Sequence, residues 1–187
     1  RYSAEHDQLP ADVQRHLHLL RAADLVILQF PLWWFAAPAI LKGWLDRVLV
    51  YGPMYNSRQR HEHGVMRGKR ALLSVTTGSS ARACAVDGRE GDTRLLLWPL
   101  MYSLRYVGFE VMEPHMVHGV RSGHAAERKQ AHDEALAMAT RNYMERLARW
   151  RQWPIVPFND SGDFEDGVVL RAEAKTHSPF IRHRNDG

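Results

Sequence analysis

The sequence has a single cysteine and no cluster of like charges, and both features limit the classes of function that it can have. A single cysteine, Cys84, excludes an intrachain disulfide framework and favours a reducing compartment, so we expect a cytoplasmic protein. The net charge is only +4, and the basic residues are scattered along the 187-residue chain. A nucleic-acid-binding protein normally concentrates its positive charge on one segment or face. We therefore expect no nucleic-acid partner.

A hydrophobic run long enough to cross a membrane is also missing. Residues 25–41 carry no charge, but a transmembrane helix needs roughly 20 apolar residues. Gln29 is polar, and Pro31 would remove a helix hydrogen bond from the middle of the run. The stretch instead predicts a strand at 24–30 that is buried on both faces, a loop with the sequence PLWWFAA, and a helix at 38–50. We expect no membrane span.

The chain contains eleven histidines, but they do not show the sequence spacing of a metal site. His61 and His63 are two residues apart, and His115 and His118 are three residues apart. Neither pair is accompanied by cysteine or carboxylate at the spacing familiar from zinc sites. We therefore predict no structural metal.

Helices and strands alternate along the rest of the chain. The apolar spacing predicts helices at 9–23, 92–107 and 125–150, the second of them interrupted or kinked near Pro99, and buried strands at 69–75 and 108–114. Such alternation is typical of an α/β fold with right-handed crossovers and a parallel sheet. We assign residues 1–150 to this domain and interpret residues 151–187, which show no clear period, as an extended tail.

Three loops, with the sequences PLWWFAA, TTGSS and PHMVHGV, each follow a predicted strand. The carboxyl ends of parallel strands lie at one edge of the sheet, which is where open α/β sheets bind ligands. TTGSS offers hydroxyl groups and a glycine at which a ligand can approach the backbone, and PLWWFAA offers an aromatic wall. Taken singly, the first could be an ordinary turn and the second part of the core. Together they indicate a flat heteroaromatic ligand with a polar rim, such as a flavin or a nucleotide base.

Four segments carry a family resemblance. The segment ADLVILQFPLWWFAAPAILKGWLDRV resembles the signature of the flavodoxin-fold NAD(P)H:quinone oxidoreductases, the DT-diaphorase-like group. GKRALLSVTTGSS, GDTRLLLWPL and VGFEVMEP continue the resemblance in order and with matching spacing. It covers residues 9–114 well and the long C-terminal helix more loosely. It implies a flavodoxin-like parallel sheet with helices on both faces.

The resemblance also implies a function. Members of this family are homodimers that hold a flavin, usually FAD and less often FMN, and pass hydride from NAD(P)H through it to quinones in a two-electron ping-pong reduction. We therefore expect an NAD(P)H dehydrogenase of this kind. Two other functions stay open, a regulatory ancillary subunit of a potassium-efflux transporter and an FMN-dependent reductase of nitro or azo compounds.

The resemblance assigns site residues by position. The flavin contacts are Leu32, Trp33, Trp34, Phe35, Thr76, Thr77, Gly78, Ser79 and Arg128. Tyr55 matches a tyrosine that covers the substrate from the partner subunit, and Ser57 stands where a second such tyrosine is usual. His115 or His118 could contact the nicotinamide or the quinone.

Two positions depart from the family pattern. Mammalian members have a tyrosine and a histidine after the TTG loop that assist proton movement, and Cys84 and Glu90 stand at those positions here. A thiol is a weak proton donor with an ordinary pKa of about 8.5, and a glutamate is normally an anion at neutral pH. Hydride transfer is cofactor chemistry that depends on orientation, so we expect the activity without this relay.

The resemblance finally implies a segment upstream of residue 4. The family begins with a strand, a phosphate-binding loop, a helix and a second strand, and its sheet has five strands where the sequence here predicts three. We expect the natural protein to start upstream and the residues that grip the flavin's ribityl and phosphate groups to lie there.

Overall fold

The computed structural model describes residues 9–122 and 126–184, with every side chain in these ranges except those of residues 126–128. The elements in chain order are α1 (Ala11–Ala22), β1 (Leu25–Pro31), α2 (Ala39–Val48), β2 (Arg70–Thr76), α3 (Thr93–Tyr106), β3 (Glu110–Val111), β4 (His115–Val117), α4 (Ala126–Ala148), β5 (Phe164–Glu165) and β6 (Val169–Leu170). Short 3-10 turns lie at His61–His63, Trp150–Gln152 and Ser161–Asp163.

β2 is the centre of the main sheet. β1 pairs with it in parallel over its whole length, from Leu25 opposite Arg70 to Pro31 opposite Thr76. β3 and β4 pair in parallel with the other side of β2. The predicted α/β fold with a parallel sheet is therefore confirmed.

The third strand is interrupted, so the prediction of one continuous strand is wrong. Val111 lies opposite Ala71, but His115 lies opposite Ser74. The residues between Val111 and His115 therefore outnumber those between their partners by one. An extra residue of this kind is a β-bulge, and a proline at its end, Pro114, cannot donate a backbone hydrogen bond to the ladder.

Helices cover both faces of the sheet, as predicted. On one face the buried residues of α1, α2 and α3 pack against alternate residues of β1 and β2: Val13, Leu17, Leu20, Val48, Leu97, Met101 and Leu104 with Leu28, Phe30, Ala71, Leu73 and Val75. On the other face Leu72 and Met112 pack with Trp153 against Tyr143 and Leu147. β2 is therefore buried on both faces.

β1 is buried on one face only, which corrects the prediction made for this strand. Leu28 and Phe30 are 8% and 5% exposed, whereas Ile27 is 38% exposed and Gln29 is exposed as well. On the other face Leu25 packs against the cluster of Leu72, Met112 and Trp153, so only the beginning of the strand is covered there. Within the described residues β1 pairs only with β2. The expected upstream strand stays a prediction.

α3 runs through Pro99 as one helix, so of the predicted interruption or kink the interruption is absent. Pro99 cannot make the hydrogen bond to Leu95, but both residues are exposed and water can reach the freed carbonyl. The helix begins after Asp92, whose carboxylate accepts a hydrogen bond from the backbone N–H of Arg94 at 2.8 Å.

The C-terminal tail packs on the sheet and is more ordered than the predicted extended segment. The Glu113 N–H donates to the Pro154 carbonyl, and the Val156 N–H donates to the Val111 carbonyl, both at 2.8 Å. Trp153 is only 4% exposed. Further on, β5 and β6 form a small antiparallel hairpin. Strands of two residues are too short to produce a visible hydrophobic period, which is why the sequence did not predict them.

A carboxylate ties this tail to the rest of the domain. Glu62 Oε1 accepts a hydrogen bond from the Ser161 N–H at 3.0 Å, and Oε2 accepts one from Nη2 of Arg105 in α3 at 3.1 Å. Burial opposes ionisation of Glu62, but these hydrogen bonds and the Arg105 charge outweigh it and lower its pKa to about 2.

α4 is the longest helix, with 23 residues, and charged side chains occur along its length. Within residues 9–122 and 126–184, no helix combines the length and apolar character needed to cross a bilayer.

Candidate functional site

Backbone hydrogen bonds join the loops that follow the strands. The Leu32 N–H donates to the Thr76 carbonyl at 2.8 Å. The Thr77 N–H donates to the Val117 carbonyl at 3.0 Å, and the Val120 N–H returns to the Thr77 carbonyl at 3.0 Å. The carboxyl ends of β1, β2 and β4 therefore form one continuous rim, as expected for a parallel sheet.

The loop after β1 contains a tight turn with unusual residues at its tip. Trp33 and Ala36 exchange two backbone hydrogen bonds of 3.0 Å. Between them, Trp34 and Phe35 have φ values of 50° and 61°. This is the pattern of a type I′ hairpin turn, which normally uses Asn and Gly. Left-handed backbone costs a residue with a side chain roughly 1–2 kcal/mol, so the turn stores strain.

The strained turn holds aromatic side chains in solvent. Trp33 is 62% exposed, Trp34 94% and Phe35 53%. Large contiguous apolar surfaces mark binding sites, and backbone strain is concentrated at functional sites. Phe35 also lines a cavity of about 910 Å³, together with Tyr55 and apolar residues of α2 and α3. The structure thus brings residues from the predicted flavin and substrate sets, Phe35 and Tyr55, into one cavity, while Leu32 packs against the core.

Two tyrosines beside Tyr55 were missed by the sequence reasoning. The Tyr55 ring contacts Tyr51 edge-on at a centroid distance of 5.7 Å and Tyr106 at 5.4 Å. Tyr106 belongs to α3 and lines the same cavity. Its position at the end of a helix gave no signal, because an aromatic residue there is usually part of the core. Ser57 is exposed and adds no ring to this group.

The TTGSS loop presents free donors on the rim. Thr77 is buried, and its Oγ1 accepts a hydrogen bond from the Ser79 N–H at 3.2 Å. Gly78 and Ser80 are exposed, and within the described residues their N–H groups have no acceptor. Such donors suit the carbonyl oxygens and ring nitrogens of a heteroaromatic ligand. The Arg121 side chain, which the sequence reasoning missed, donates to the Gly78 carbonyl and brings positive charge to the rim.

The two histidines predicted at this edge lie in different places. His115 is the first residue of β4 rather than part of a loop, so the predicted loop PHMVHGV is wrong at its start. It is buried and stacked on Tyr143 at a centroid distance of 4.2 Å, and burial, followed by the Arg146 charge, lowers its pKa. His118 is half-buried on the rim. Burial lowers its pKa against an opposing backbone hydrogen bond of Ser79. The rim therefore includes His118, and a substrate contact by either histidine stays a prediction.

Cys84 lies in the loop after TTGSS and is only 6% exposed. Its N–H donates to the Ser80 carbonyl at 3.1 Å, and its carbonyl accepts a hydrogen bond from Thr93 Oγ1 at 3.2 Å. Burial, followed by the Glu90 charge, raises the pKa of the thiol. Burial thus disfavours release of the thiol proton, and the absence of the family's proton relay stays a prediction.

No group of three metal-ligating residues exists within the described part of the chain. His61 packs its ring against Tyr102 and Tyr106, and His63 lies 3.8 Å from the Glu62 carboxylate. The Arg128 side chain, predicted to lie near the flavin, is outside the described residues.

Comparison with known proteins identifies the family. A family profile described as having a flavodoxin-like fold matches residues 2–141. The chain belongs to this flavodoxin-like family. This flavodoxin-like chain is 37% identical to NAD(P)H dehydrogenase (quinone) 1 from Rattus norvegicus over 174 residues. The alignment covers 90% of this chain and 60% of the relative. The resemblance to the quinone oxidoreductases is therefore confirmed, and the chain spans about 60% of the length of this relative.

Solved structures share the flavodoxin-like fold. A protein described as a candidate quinone reductase from Klebsiella pneumoniae aligns with a TM-score of 0.72 and 36% identity, covering 87% of this chain and 64% of that one. General stress protein 14 from Treponema denticola, solved in complex with FMN, aligns with a TM-score of 0.61 and 28% identity, covering 77% of this chain and 76% of that one.

Proposed function

We propose that this flavodoxin-like chain is part of a flavin-dependent oxidoreductase that transfers hydride from NAD(P)H to quinones. The observation that carries the proposal is the strained, exposed aromatic turn at Trp34 and Phe35 beside the free N–H donors of Gly78 and Ser80. A flat ligand laid against the rings would cover their apolar surface, and the donors would meet its polar edge.

The rim residues fit the isoalloxazine ring of a flavin. Trp33, Trp34 and Phe35 would stack on or flank the ring, and the loop Thr76–Ser79 would bind its polar edge. A flavin bound there would accept hydride from NAD(P)H and deliver it to a quinone, so that the two substrates react in turn. The protein's own part is to orient both partners and exclude water, since hydride transfer needs no protein acid. Arg128 stays a proposed flavin contact.

The substrate would lie in the cavity beside the turn. Tyr55 and Phe35 already line it, and His118, which lies on the rim, is the better placed of the two proposed histidine contacts. His115 is buried against Tyr143 and would reach a substrate only through a rearrangement of α4. In this proposal Cys84 and Glu90 hold the loop in place and do not move protons.

FAD is the proposed flavin and FMN the second candidate. The described residues would contact only the ring, which the two flavins share. The relative from Rattus norvegicus is named an NAD(P)H dehydrogenase (quinone), whereas the general stress protein 14 structure contains FMN. No observation favours the regulatory-subunit function.

A homodimer and a cytoplasmic location complete the proposal. The same cavity extends between α2 and α3, where Leu45, Leu49, Leu96 and Leu100 line it, and Ile40 of α2 is 84% exposed. A second copy packed over this end of the cavity would cover that apolar surface and leave the substrate between the two copies, beside Phe35 and Tyr55. Sedimentation at several concentrations would measure the oligomeric state.

The test is an absorption spectrum of the protein as its gene encodes it, followed by release and mass analysis of the cofactor. We expect oxidised flavin, identified as FAD, and NAD(P)H oxidation that depends on added quinone. Colourless protein that takes up no flavin would contradict the proposal. Flavin-loaded protein that reduces nitro or azo compounds but no quinone would favour the alternative reductase.

A further inference from the structure

Residues 80–91, here called the rim loop, form a segment between β2 and α3 that backbone hydrogen bonds close. The Glu90 N–H donates to the Ala83 carbonyl at 2.9 Å, and the Gly91 N–H donates to the Gly88 carbonyl at 3.0 Å. A Cβ atom on Gly88 would lie 2.3 Å from the Ala83 carbonyl oxygen. Only glycine allows this close approach.

The rim loop encloses a pocket with uncompensated positive charge. Its volume is about 340 Å³, and it is lined by Ser80, Arg82, Ala83, Asp87, Gly88 and Arg89. Within the described residues, the side chains of Arg82, Arg89 and Asp87 make no hydrogen bond or ion pair. The lining therefore includes two arginines and one aspartate, all exposed, which gives the pocket a net charge of +1. A volume of this size falls in the range of small-molecule sites, roughly 300–1,000 Å³.

The position of the pocket connects it to the proposed active site. The rim loop continues directly from TTGSS, whose Gly78 and Ser80 N–H groups would bind the ring edge. The Ser80 hydroxyl accepts a hydrogen bond from the Ala83 N–H at 3.2 Å, which leaves its own proton free to donate into the pocket. Ser80 belongs to both the rim and the pocket lining, so a dinucleotide whose nicotinamide lies against the bound flavin would extend its polar arm across this rim.

We propose that the pocket of the rim loop binds the 2′-phosphate of NADPH, so that the enzyme uses NADPH in preference to NADH. The inference rests on the proposed function for the identity of the co-substrate. A guanidinium fork matches the oxygens of a phosphate, and charge-assisted hydrogen bonds of this kind are the strong ones. NADH has a hydroxyl at the same position and offers the two arginines no anionic partner.

Asp87 should weaken the binding of a phosphate in this pocket, so its replacement should increase the affinity. Its carboxylate lines the same pocket as the two arginines and would repel a phosphate dianion. Replacing it with asparagine removes this repulsion at nearly constant size. A gain in affinity from Asp87→Asn cannot result from a damaged fold, so it complements the losses expected from the arginine variants.

The experiment is calorimetric titration with 2′,5′-ADP and 5′-AMP, which differ only in the 2′-phosphate. The parent protein should prefer 2′,5′-ADP. Arg82→Gln and Arg89→Gln should each weaken that binding by about tenfold and change 5′-AMP binding by less than about twofold. Arg82→Lys should retain part of the preference, and Asp87→Asn should increase it. Arg15→Gln, an exposed arginine of α1, is the matched control and should change neither affinity.

Equal binding of the two nucleotides by the parent would overturn the inference. So would an equal loss of both affinities in the arginine variants, because the pocket would then read a phosphate other than the 2′ group. Flavin content and quinone reduction are measured separately on the same protein. Protein without flavin or reductase activity that still binds 2′,5′-ADP through Arg82 would refute the proposed function and leave the phosphate subsite standing.

Discussion

Replacing Glu62 with glutamine should weaken the attachment of the C-terminal tail to the core at Ser161. The carboxylate of Glu62 accepts hydrogen bonds from the Ser161 N–H and from Arg105, and glutamine has only one oxygen to meet these two donors. Arg105 would then keep a largely buried charge without its counter-ion, since only 14% of its side chain is exposed.

The magnitude follows from the pKa of Glu62, which falls from an ordinary 4.5 to about 2 in the folded protein. At 1.36 kcal/mol per pKa unit, this corresponds to an upper bound of about 3 kcal/mol. About a quarter of the Glu62 side chain is exposed, and solvent screening reduces the effect to about 2 kcal/mol. Because the folded pKa is lowered, this stability is fully present above pH 4.5 and is lost as the pH falls towards 2.

Urea unfolding at a series of pH values measures the effect. Glu62→Gln should lower the free energy of unfolding by about 2 kcal/mol at pH 7, and the difference from the parent should shrink below about pH 4.5. Glu110→Gln is the matched control, because Glu110 pairs with Arg70 at 3.1 Å but is 52% exposed. An exposed pair should contribute less than about 1 kcal/mol. Equal losses in the two variants, or a loss that does not change with pH, would refute the reasoning.

Three further predictions concern the site and the sheet. Trp34→Ala should reduce flavin retention without unfolding the protein, because aromatic packing contributes about 0.5–1.5 kcal/mol beyond burial; unchanged flavin content after gel filtration would contradict the assignment. Cys84→Ala and Glu90→Gln should each change quinone turnover by less than about tenfold, short of the 10²–10⁴ typical of a general acid or base; steady-state assays of flavin-loaded protein would show a larger loss if either group moves a proton. Because burial lowers the pKa of His115 in the folded state, the parent should lose stability as the pH falls below about 6.5, and His115→Phe should flatten that part of the curve; parallel curves would exclude His115 as a contributor.

The sequence predicted the ligand edge because parallel strands impose it. Once β1 and β2 were recognised as strands, the loops after them had to meet, and the hydrogen bond from Leu32 to Thr76 shows that they do. The exposure of Trp34 could not be deduced in the same way. A run of aromatic residues indicates a core or a binding surface equally well, and the left-handed backbone at Trp34 and Phe35 contradicts the ordinary preferences of turn residues.

Other features escaped prediction because their cause is distant in sequence. Continuous apolar composition suggested that β1 is buried on both faces, but Ile27 is 38% exposed, because the second core cluster covers Leu25 and not Ile27. The bulge before His115 is set by pairing with β2, which leaves no local pattern beyond Pro114. The arginines of the rim loop gave no signal in the sequence, because only the folded loop brings Arg82 and Arg89 to one pocket.

The backbone pairing of the tail with β3 has a consequence for the behaviour of the protein in solution. An open strand edge offers unpaired N–H and C=O groups on which another chain can add a strand, and exposed edges of this kind promote aggregation. Here the hydrogen bonds of Glu113 and Val156 occupy the outer edge of β3, and Trp153 anchors the covering segment in the core. A chain cut before Trp153 would uncover this edge. The tail therefore protects the sheet from intermolecular strand addition, although it carries none of the predicted site residues.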